Sequence, residues 1–217
     1  MIINPKLNNK FKRIILFSSL NGGTGKSYII SHISKLLSEK NEVGLLDADI
    51  NSIGLTQSLQ LLNKRLDGTT DAHGITLVSP YKLGMIKFVS VGLLDIGTDL
   101  TGLRGSGLSG ICRLLINEVN WGELDYLLID LPSGLTDIEL TILDDFSDAE
   151  IILVSNGTFF ADNRKLQYYV NRNIKILGVI YNNQNSDEDC IHFCQSNNIK
   201  YLGKFSLPCS TIVNMLK

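Results

Sequence analysis

Residues 20–27, which read Leu-Asn-Gly-Gly-Thr-Gly-Lys-Ser, are the feature that most constrains the fold. They follow an apolar run at 14–17 and precede a helical pattern. Glycines let successive backbone N–H groups converge on an anion, Lys26 can reach β- and γ-phosphates, and the Ser27 hydroxyl can ligate Mg²⁺ at a helix N-terminus. The segment therefore predicts a phosphate-binding loop between a strand and a helix. The other interpretation is an ordinary strand-to-helix turn with an exposed lysine, because Leu20 stands where the motif usually has its first glycine.

Short, apolar, β-branched runs alternate with helical patterns along the rest of the chain. The alternation predicts right-handed βαβ units, and hence an α/β three-layer sandwich with a mostly parallel sheet and helices on both faces. Ligands in such sheets bind at the carboxyl ends of the strands. Residues 63–74 are expected to be a surface excursion. Strands are predicted at 14–17, 43–46, 75–78, 86–91, 126–129, 151–154 and 176–180, and helices at 27–39, 108–119, 138–146, 163–171 and 188–197.

Composition sets outer bounds on the chain. Its 217 residues, 44% of them hydrophobic, favour one domain over 1–217. The net charge of −2 and the dispersed basic residues give no strong signal for nucleic acid or an anionic membrane. No apolar run approaches the roughly 20 residues of a membrane span, and residues 1–5 lack a signal-peptide pattern, which predicts a cytoplasmic protein. Its four cysteines are expected to be thiols unless a metal binds them.

Three carboxylates follow predicted strands. Asp47 and Asp49 come after the second strand, spaced so that both can face bound phosphates, and Asp130 ends the apolar run at 126–129. An aspartate after such a run holds Mg²⁺, usually through water, in phosphate-loop enzymes. Each aspartate alone could instead cap the following helix. In this order they predict a magnesium site beside the loop.

In these segments the chain resembles the Mrp-like ATPases of the MinD/ParA branch of P-loop NTPases, whose loop usually reads K-G-G-x-G-K-[ST]. The resemblance runs over most of the chain. Its further matches are residues 45–50 with switch I, 104–105 with an R-G-P segment, 120–134 with W-G-E-L-D-Y-L-x-I-D-L-P-P-G, 162–165 with a D-x-R-K helix start, and 177–183 with L-G-V-V-E-N-M.

The resemblance implies that the chain binds ATP or ADP with Mg²⁺, that it forms a nucleotide-dependent homodimer, and that it associates with a protein partner that the sequence does not identify. Lys26 and Asp49 would be catalytic, with Asp49 orienting the attacking water. Asn182 matches the position that reads the adenine edge, although a turn residue is the other interpretation. The implied metal residues are Ser27, Asp47 and Asp130, and the implied nucleotide-binding residues are Gly22, Gly23, Thr24, Gly25, Lys26, Ser27, Tyr28, Asn182 and Pro208.

One departure from the family pattern concerns catalysis. Asn21 replaces the first loop lysine, which in the family reaches across the dimer to the partner's phosphates. An uncharged amide cannot neutralise developing phosphate charge, and losing a finger-type cation can lower turnover roughly 10³-fold or more, so hydrolysis is expected to be slow. Arg104 or Arg113 could substitute, or each could be an exposed arginine without a catalytic contact.

Another departure concerns the thiols and the tail. Mrp-like carriers hold an iron–sulfur cluster between subunits with a C-P-x-C pair, whereas Cys190 and Cys194 here are spaced i, i+4 without a proline. Cysteine packs readily as a small buried hydrophobe, so the sequence favours core packing of these thiols over ligation of an iron–sulfur cluster. MinD-like relatives end in a basic amphipathic helix, but residues 210–217 contain one lysine, and Met215 and Leu216 are expected to cover the sheet.

The leading functional prediction is an Mrp-like ATP-binding protein with slow hydrolysis, which couples nucleotide state to partner or homodimer association. Iron–sulfur cluster assembly enters only through the resemblance. One alternative is a non-hydrolysing, ATP-dependent interaction module. Another is a ParA/MinD-type positioning ATPase, against which the absence of a basic patch and of a membrane helix counts.

Overall fold

The structure is a computed structural model that describes residues 10–19, 21–49, 52, 54–62, 64–66, 68–70, 76–90, 93, 106–157, 164–207 and 209–216. Its strands are β1 (Phe11–Ser18), β2 (Val43–Asp47), β3 (Gly68–Thr70), β4 (Thr76–Val78), β5 (Tyr81–Leu83), β6 (Ile86–Ser90), β7 (Leu124–Asp130), β8 (Glu150–Ser155), β9 (Lys175–Tyr181) and β10 (Tyr201–Lys204). Its helices are α1 (Lys26–Leu37), α2 (Gly54–Ser58), α3 (Ser106–Asn117), α4 (Asp137–Asp145), α5 (Arg164–Asn171), α6 (Glu188–Ser196) and α7 (Ser210–Leu216).

The main sheet has eight strands in the order β10-β9-β8-β1-β7-β2-β6-β5. Every neighbouring pair is parallel except β5 with β6, which form an antiparallel hairpin at the edge. Strands β2 and β8 are buried along their whole length, as expected for a parallel sheet with helices on both faces. The predicted α/β class and mostly parallel sheet are confirmed.

Strand β1 lies in the interior of the main sheet, and its carboxyl end leads into the glycine-rich loop. Strand β1 lies between β7 and β8, with Phe17 in register with Asp130 on one side and Ile152 on the other. Strand β2 lies on the other side of β7, and its Asp47 is in register with Asp130. The carboxyl ends of β1, β2 and β7 therefore meet at one edge of the sheet, where α1 begins.

Several local predictions need correction. The strand predicted at 75–78 is present as Thr76–Val78, but it pairs antiparallel with Gly68–Thr70 in a separate two-stranded sheet. The segment 63–74, expected to be an excursion, therefore contains a strand that was not predicted. Strands β5 and β10 and helix α2 were not predicted, because each has only three to five residues and no resolvable periodicity. In α7, Leu216 is buried as expected, but Met215 is 43% exposed and does not cover the sheet. Among the described residues, no helix is long and apolar enough to cross a bilayer.

Candidate phosphate and magnesium site

The loop between β1 and α1 has the backbone that its glycines allow. Gly23 and Gly25 have φ values of +72° and +80°, a left-handed conformation that a side chain would disfavour. Gly25 is the N-cap of α1, so the first turn of the helix directs its N–H groups toward the loop. A positive helix dipole and converging amides make this junction suited to an anion.

A cleft of about 320 Å³ opens at this loop. That volume lies at the lower end of the range typical of small-molecule sites. The lining brings together most of the predicted nucleotide-binding residues with the segment that follows β2. It consists of Ser19, Asn21, Gly22, Gly23, Thr24, Gly25, Lys26, Ser27, Tyr28, Asp49, Ser52, Gly54, Gln57, Ser58 and Ser133. Pro208, the remaining predicted base contact, lies outside the described residues.

Lys26 forms a buried ion pair at the base of the cleft. Its Nζ lies 2.9 Å from Oδ1 of Asp130, and the two side chains are only 6% and 0% exposed. The other carboxylate oxygen, Oδ2, is buried and accepts no hydrogen bond from any residue that the structure describes. A buried oxygen of this kind is destabilising unless it gains a partner, so the arrangement favours an incoming cation or ordered water.

Asp47 lies beside Asp130 and is almost as deeply buried. The Ser90 hydroxyl donates to its Oδ2 over 3.0 Å, and the backbone N–H of Asp49 donates to its Oδ1 over 3.2 Å. Burial, and next the negative charge of Asp130, raise the pKa of Asp47 well above its ordinary value. Two adjacent buried carboxylates therefore favour a proton or a cation between the ends of β2 and β7.

The donor set fits Mg²⁺. All the predicted ligands present oxygen, which Mg²⁺ prefers. Gly54 leaves room at Ser27, because a Cβ on Gly54 would lie 3.2 Å from the Ser27 Oγ. Within the described ranges, no group of three or more His, Cys, Asp or Glu side chains could hold a metal ion alone. In Mg²⁺ sites of nucleotide-binding proteins, one or two carboxylates act together with water and substrate phosphates.

Asn182 lies against the phosphate loop rather than in the lining of the cleft. Its Nδ2 donates to the Thr24 carbonyl over 2.8 Å, and a Cβ on Gly25 would approach that nitrogen to 2.2 Å. The predicted reading of adenine stays a prediction. An amide nitrogen has two hydrogens, so the contact with Thr24 uses one of its donors and leaves the side chain chemically able to contact a base.

Asn21 lines the cleft, and the Ser19 hydroxyl donates to its backbone carbonyl over 3.0 Å. Arg113, one of the two suggested replacements for the family's lysine, forms a two-fold hydrogen-bonded pair with Asp145 at 2.7 and 2.9 Å. It does not line the phosphate cleft. The other, Arg104, lies outside the described residues. The described lining thus contains Lys26 as its only lysine or arginine.

Sequence reasoning gave no role to a second buried ion pair next to the loop. Lys165 Nζ lies 2.7 Å from Glu139 Oε2, with the side chains 3% and 0% exposed. Burial is the main influence on both, raising the pKa of Glu139 and lowering that of Lys165. The sequence did offer one signal for this pair. Lys165 is the last residue of the matched segment 162–165, and it lies on the buried face of the amphipathic helix α5.

Cys190 and Cys194 share one face of α6, and each is 1% exposed. A hydrogen bond between the two thiols, and next burial, raise the pKa of Cys190. His192 lies on the exposed side of the same helix. The predicted packing of both thiols in the core agrees with this burial.

The sheet order and the glycine-rich loop between its central strand and α1 define a P-loop NTPase fold of the MinD/ParA type. A nucleotide-binding protein from Archaeoglobus fulgidus, solved with ADP, superposes with a TM-score of 0.74 at 21% identity, over 97% of this chain and 87% of that one. MinD from Pyrococcus horikoshii, solved with Mg-ADP, gives 0.62 at 20% identity, over 94% and 86%. At such identities the likeness shows the fold alone.

The chain belongs to the ParA family described as NUBPL iron-transfer P-loop NTPases, which matches residues 10–206. An iron-sulfur cluster carrier protein of Synechocystis sp. is 33% identical over 175 residues, 79% of this chain and 49% of that protein. The cytosolic Fe-S cluster assembly factor CFD1 of Kluyveromyces lactis is 33% identical over 186 residues, 82% of this chain and 66% of that protein. The predicted Mrp-like membership is confirmed, and the chain spans about half to two thirds of these relatives.

Proposed function

We propose that this chain binds Mg·ATP and Mg·ADP at the loop of residues 22–27 and hydrolyses ATP slowly. The observation that supports this most directly is the ion pair of Lys26 with Asp130 at the base of a cleft formed by a helix N-terminus. An ammonium, converging amides and buried carboxylates are the parts that phosphoryl-transfer sites use. The family whose model matches residues 10–206 is described as P-loop NTPases, which supports the same class of activity.

Each residue has a role in this proposal. Gly22, Gly23, Thr24 and Gly25 present backbone N–H groups to the phosphates, and Lys26 contacts the terminal phosphates. Ser27, Asp47 and Asp130 would hold Mg²⁺, directly or through water, and that ion would supply neutralising charge to the phosphate oxygens. Asp49, which lines the cleft, would orient the attacking water. Tyr28 borders the cleft on the side of α1.

Calorimetric titration with ATP, ADP and GTP, with and without Mg²⁺, tests the binding. We expect Lys26→Ala to weaken ATP binding by about 1.5–3 kcal/mol, or one to two decades in affinity, because a charge-assisted contact is lost. Lys40→Ala is the matched control, since Lys40 is exposed just beyond the far end of α1. Failure of the wild type to bind, or equal binding by Lys26→Ala, would show that the loop is not a nucleotide site.

The same titration tests the base preference. A single amide can donate to N7 and accept from N6 of adenine, but it meets two acceptors on guanine. We therefore expect ATP to displace GTP, and we expect Asn182→Ala to reduce that preference. Equal affinities in both forms of the protein would place base recognition on other residues.

Asn21 favours a second candidate, a nucleotide-dependent interaction module with negligible hydrolysis. Asn21 lines the cleft at the position where the family has a lysine, and Arg113 pairs with Asp145 elsewhere. A cation at this position acts mainly on the transition state, so we expect Asn21→Lys to raise kcat by up to roughly 10³-fold while affinity barely changes. Asn21→Gln is the uncharged control of similar size. Wild-type turnover on the order of 10 s⁻¹, the typical enzyme median, would contradict slow hydrolysis.

The relatives are named as iron-sulfur cluster carrier and assembly proteins. We therefore also propose that nucleotide state controls homodimer or partner association during iron–sulfur cluster assembly. Cys190 and Cys194 are not proposed as cluster ligands, because both are buried in a single helix. Anaerobic incubation with iron and sulfide tests this. A stoichiometric chromophore that is lost in Cys190→Ser but kept in Cys112→Ser would make these thiols ligands after all. Sedimentation with and without Mg·ATP tests the dimer.

A further inference from the structure

A buried polar network lies next to the phosphate loop. Besides pairing with Glu139, the Lys165 ammonium donates to two backbone carbonyls, that of Gly134 over 2.5 Å and that of Ser19 over 3.3 Å. The Gly134 N–H also donates to the Ser19 carbonyl over 3.2 Å. One ammonium thus ties the residue that follows β1 to the loop that follows β7.

These two tethered segments both reach the cleft. Ser19 and Asn21 line it from the phosphate loop, and Ser133 lines it from the segment 131–136, which connects Asp130 to α4. A Cβ on Gly22 would lie 3.7 Å from the Ser133 hydroxyl, so the two segments are in contact distance across the mouth of the site. Whatever fixes Gly134 relative to Ser19 therefore fixes the shape of the cleft on that side.

Tyr169 completes the network. Its hydroxyl donates to Glu139 Oε1 and lies 2.8 Å from the Ser18 hydroxyl at the end of β1. The Glu139 carboxylate is thus held by α5 through both Lys165 and Tyr169, although Glu139 itself lies on α4. Burial has the largest effect on both pKa values, raising that of Glu139 and lowering that of Lys165, and the attraction within the pair comes next. The positive charge of Lys26 has a smaller effect that lowers both pKa values, so the network lies within the field of the phosphate-binding lysine.

We propose that Lys165 and Glu139 are positioning residues that hold the segment 131–136 against the phosphate loop, and that they thereby favour ATP over ADP. The proposal rests on the nucleotide binding proposed above. Its reason is the placement of the segment, which begins directly after Asp130, the partner of Lys26. In phosphate-loop enzymes these two residues serve the terminal phosphates and their metal. Loosening the segment should therefore affect the γ-phosphate end more than the rest of the nucleotide.

The test is a variant that removes both charges, Lys165→Met with Glu139→Gln. Removing only one would strand the other charge in the interior and could prevent folding. We expect the affinity for Mg·ATP to fall roughly tenfold and that for Mg·ADP to fall less than about threefold. The matched control is Arg13→Met with Glu150→Gln, which removes a pair of similar type, with N–O distance 2.6 Å, at the amino ends of β1 and β8. The control should change neither affinity.

Tyr169→Phe is the second variant, and it removes one hydroxyl without removing charge. We expect the ratio of the ATP and ADP dissociation constants to shift in the same direction but less, and this result decides the matter if the double variant does not fold. Equal weakening of ATP and ADP in both variants, or an unchanged ratio, would overturn the positioning role while nucleotide binding by the wild type stands. A wild type that binds neither nucleotide would instead refute the proposed function on which the inference rests.

Discussion

Strand β7 carries an ion pair at each end, but the pair at its carboxyl end is buried and the pair at its amino end is exposed to solvent. At the carboxyl ends, Lys26 and Asp130 are 6% and 0% exposed. At the amino ends, Lys12 and Asp125 form a pair of similar length, 2.6 Å, with side chains 79% and 27% exposed. Because the two pairs share β7, one strand connects a buried ion pair to a solvated one.

The difference indicates what each pair contributes. Exposed pairs are screened by water and salt and stabilise a fold only slightly. Buried pairs lose hydration that their mutual attraction often fails to offset, so an apolar pair of similar volume is frequently as stable or more so. Stability alone does not account for Lys26, Asp130 and Asp47 at one edge of a sheet. Their position beside an anion-binding helix terminus points instead to ligand chemistry.

The largest expected effect in this comparison comes from Lys26→Met in nucleotide-free protein. It leaves the Asp130 carboxylate buried without its partner, and we expect a loss of about 3–5 kcal/mol in the free energy of unfolding. Urea denaturation in EDTA measures it, with Lys12→Met as the control at the other end of β7. Adding Asp130→Asn to Lys26→Met should recover much of the loss. If Lys26→Met and Lys12→Met both lower the free energy of unfolding by a similar small amount, the two ion pairs do not differ in burial as described.

Glycines at the two ends give the next comparison. Gly25 and Gly122 both have positive φ, +80° and +65°, so alanine at either position carries backbone strain of about 1–2 kcal/mol. A Cβ at Gly25 would also collide with Asn182 Nδ2 at 2.2 Å, whereas at Gly122 it would meet only the tip of Lys87 at 3.3 Å. We expect Gly25→Ala to be the more destabilising in thermal melts. Adding Asn182→Ala should bring the melting temperature of Gly25→Ala close to that of Gly122→Ala. If it does not, the contact with Asn182 is not the cause of the extra destabilisation.

Much of this asymmetry follows from the sequence. A strand, a glycine-rich loop and a helix in order already place Lys26 at the carboxyl end of β1, and the apolar runs before Asp47 and Asp130 place both carboxylates at the same edge. Those predictions need only local pattern and the rule that parallel strands end together. Helix α1 and the six long strands were accordingly predicted within three residues at each end.

Other features depend on contacts that no local pattern encodes. The pairing of Lys26 with Asp130 joins residues 104 apart, and the Lys165 network joins α5 to a residue 146 positions earlier. Strand β10 has four residues and is a strand because β9 pairs with it. The β5–β6 hairpin could have been predicted, since residues 81–83 alternate apolar with polar side chains and Gly84 begins a two-residue turn.

The pKa values of Asp47 and Asp125 are shifted in opposite directions, so their effects on stability at pH 7 are expected to have opposite signs. Because burial raises the pKa of Asp47, the unfolded chain releases this proton at lower pH than the folded protein does. Its contribution to stability therefore falls as pH rises from the ordinary aspartate value through the raised one. We expect Asp47→Asn, measured in EDTA, to gain about 0.5–2 kcal/mol at pH 7 and progressively less in acid, while Mg²⁺-dependent nucleotide binding weakens. A loss of stability at pH 7 would contradict a buried carboxyl that resists ionisation.

Asp125 should behave in the reverse manner and with the smallest effect. The hydrogen bond from Lys12, and next that from the backbone N–H of Glu42 at 2.9 Å, lower the pKa of Asp125. Its contribution is therefore present above the ordinary aspartate pKa and is lost as pH falls through the lowered one. We expect Asp125→Asn to reduce the melting temperature slightly at pH 7, and we expect the difference from wild type to shrink toward pH 3. High salt should weaken the part due to Lys12, since an exposed pair is screened. A melting temperature above that of the wild type at pH 7, the sign expected for Asp47→Asn, would mean that this end of β7 is not the solvated one.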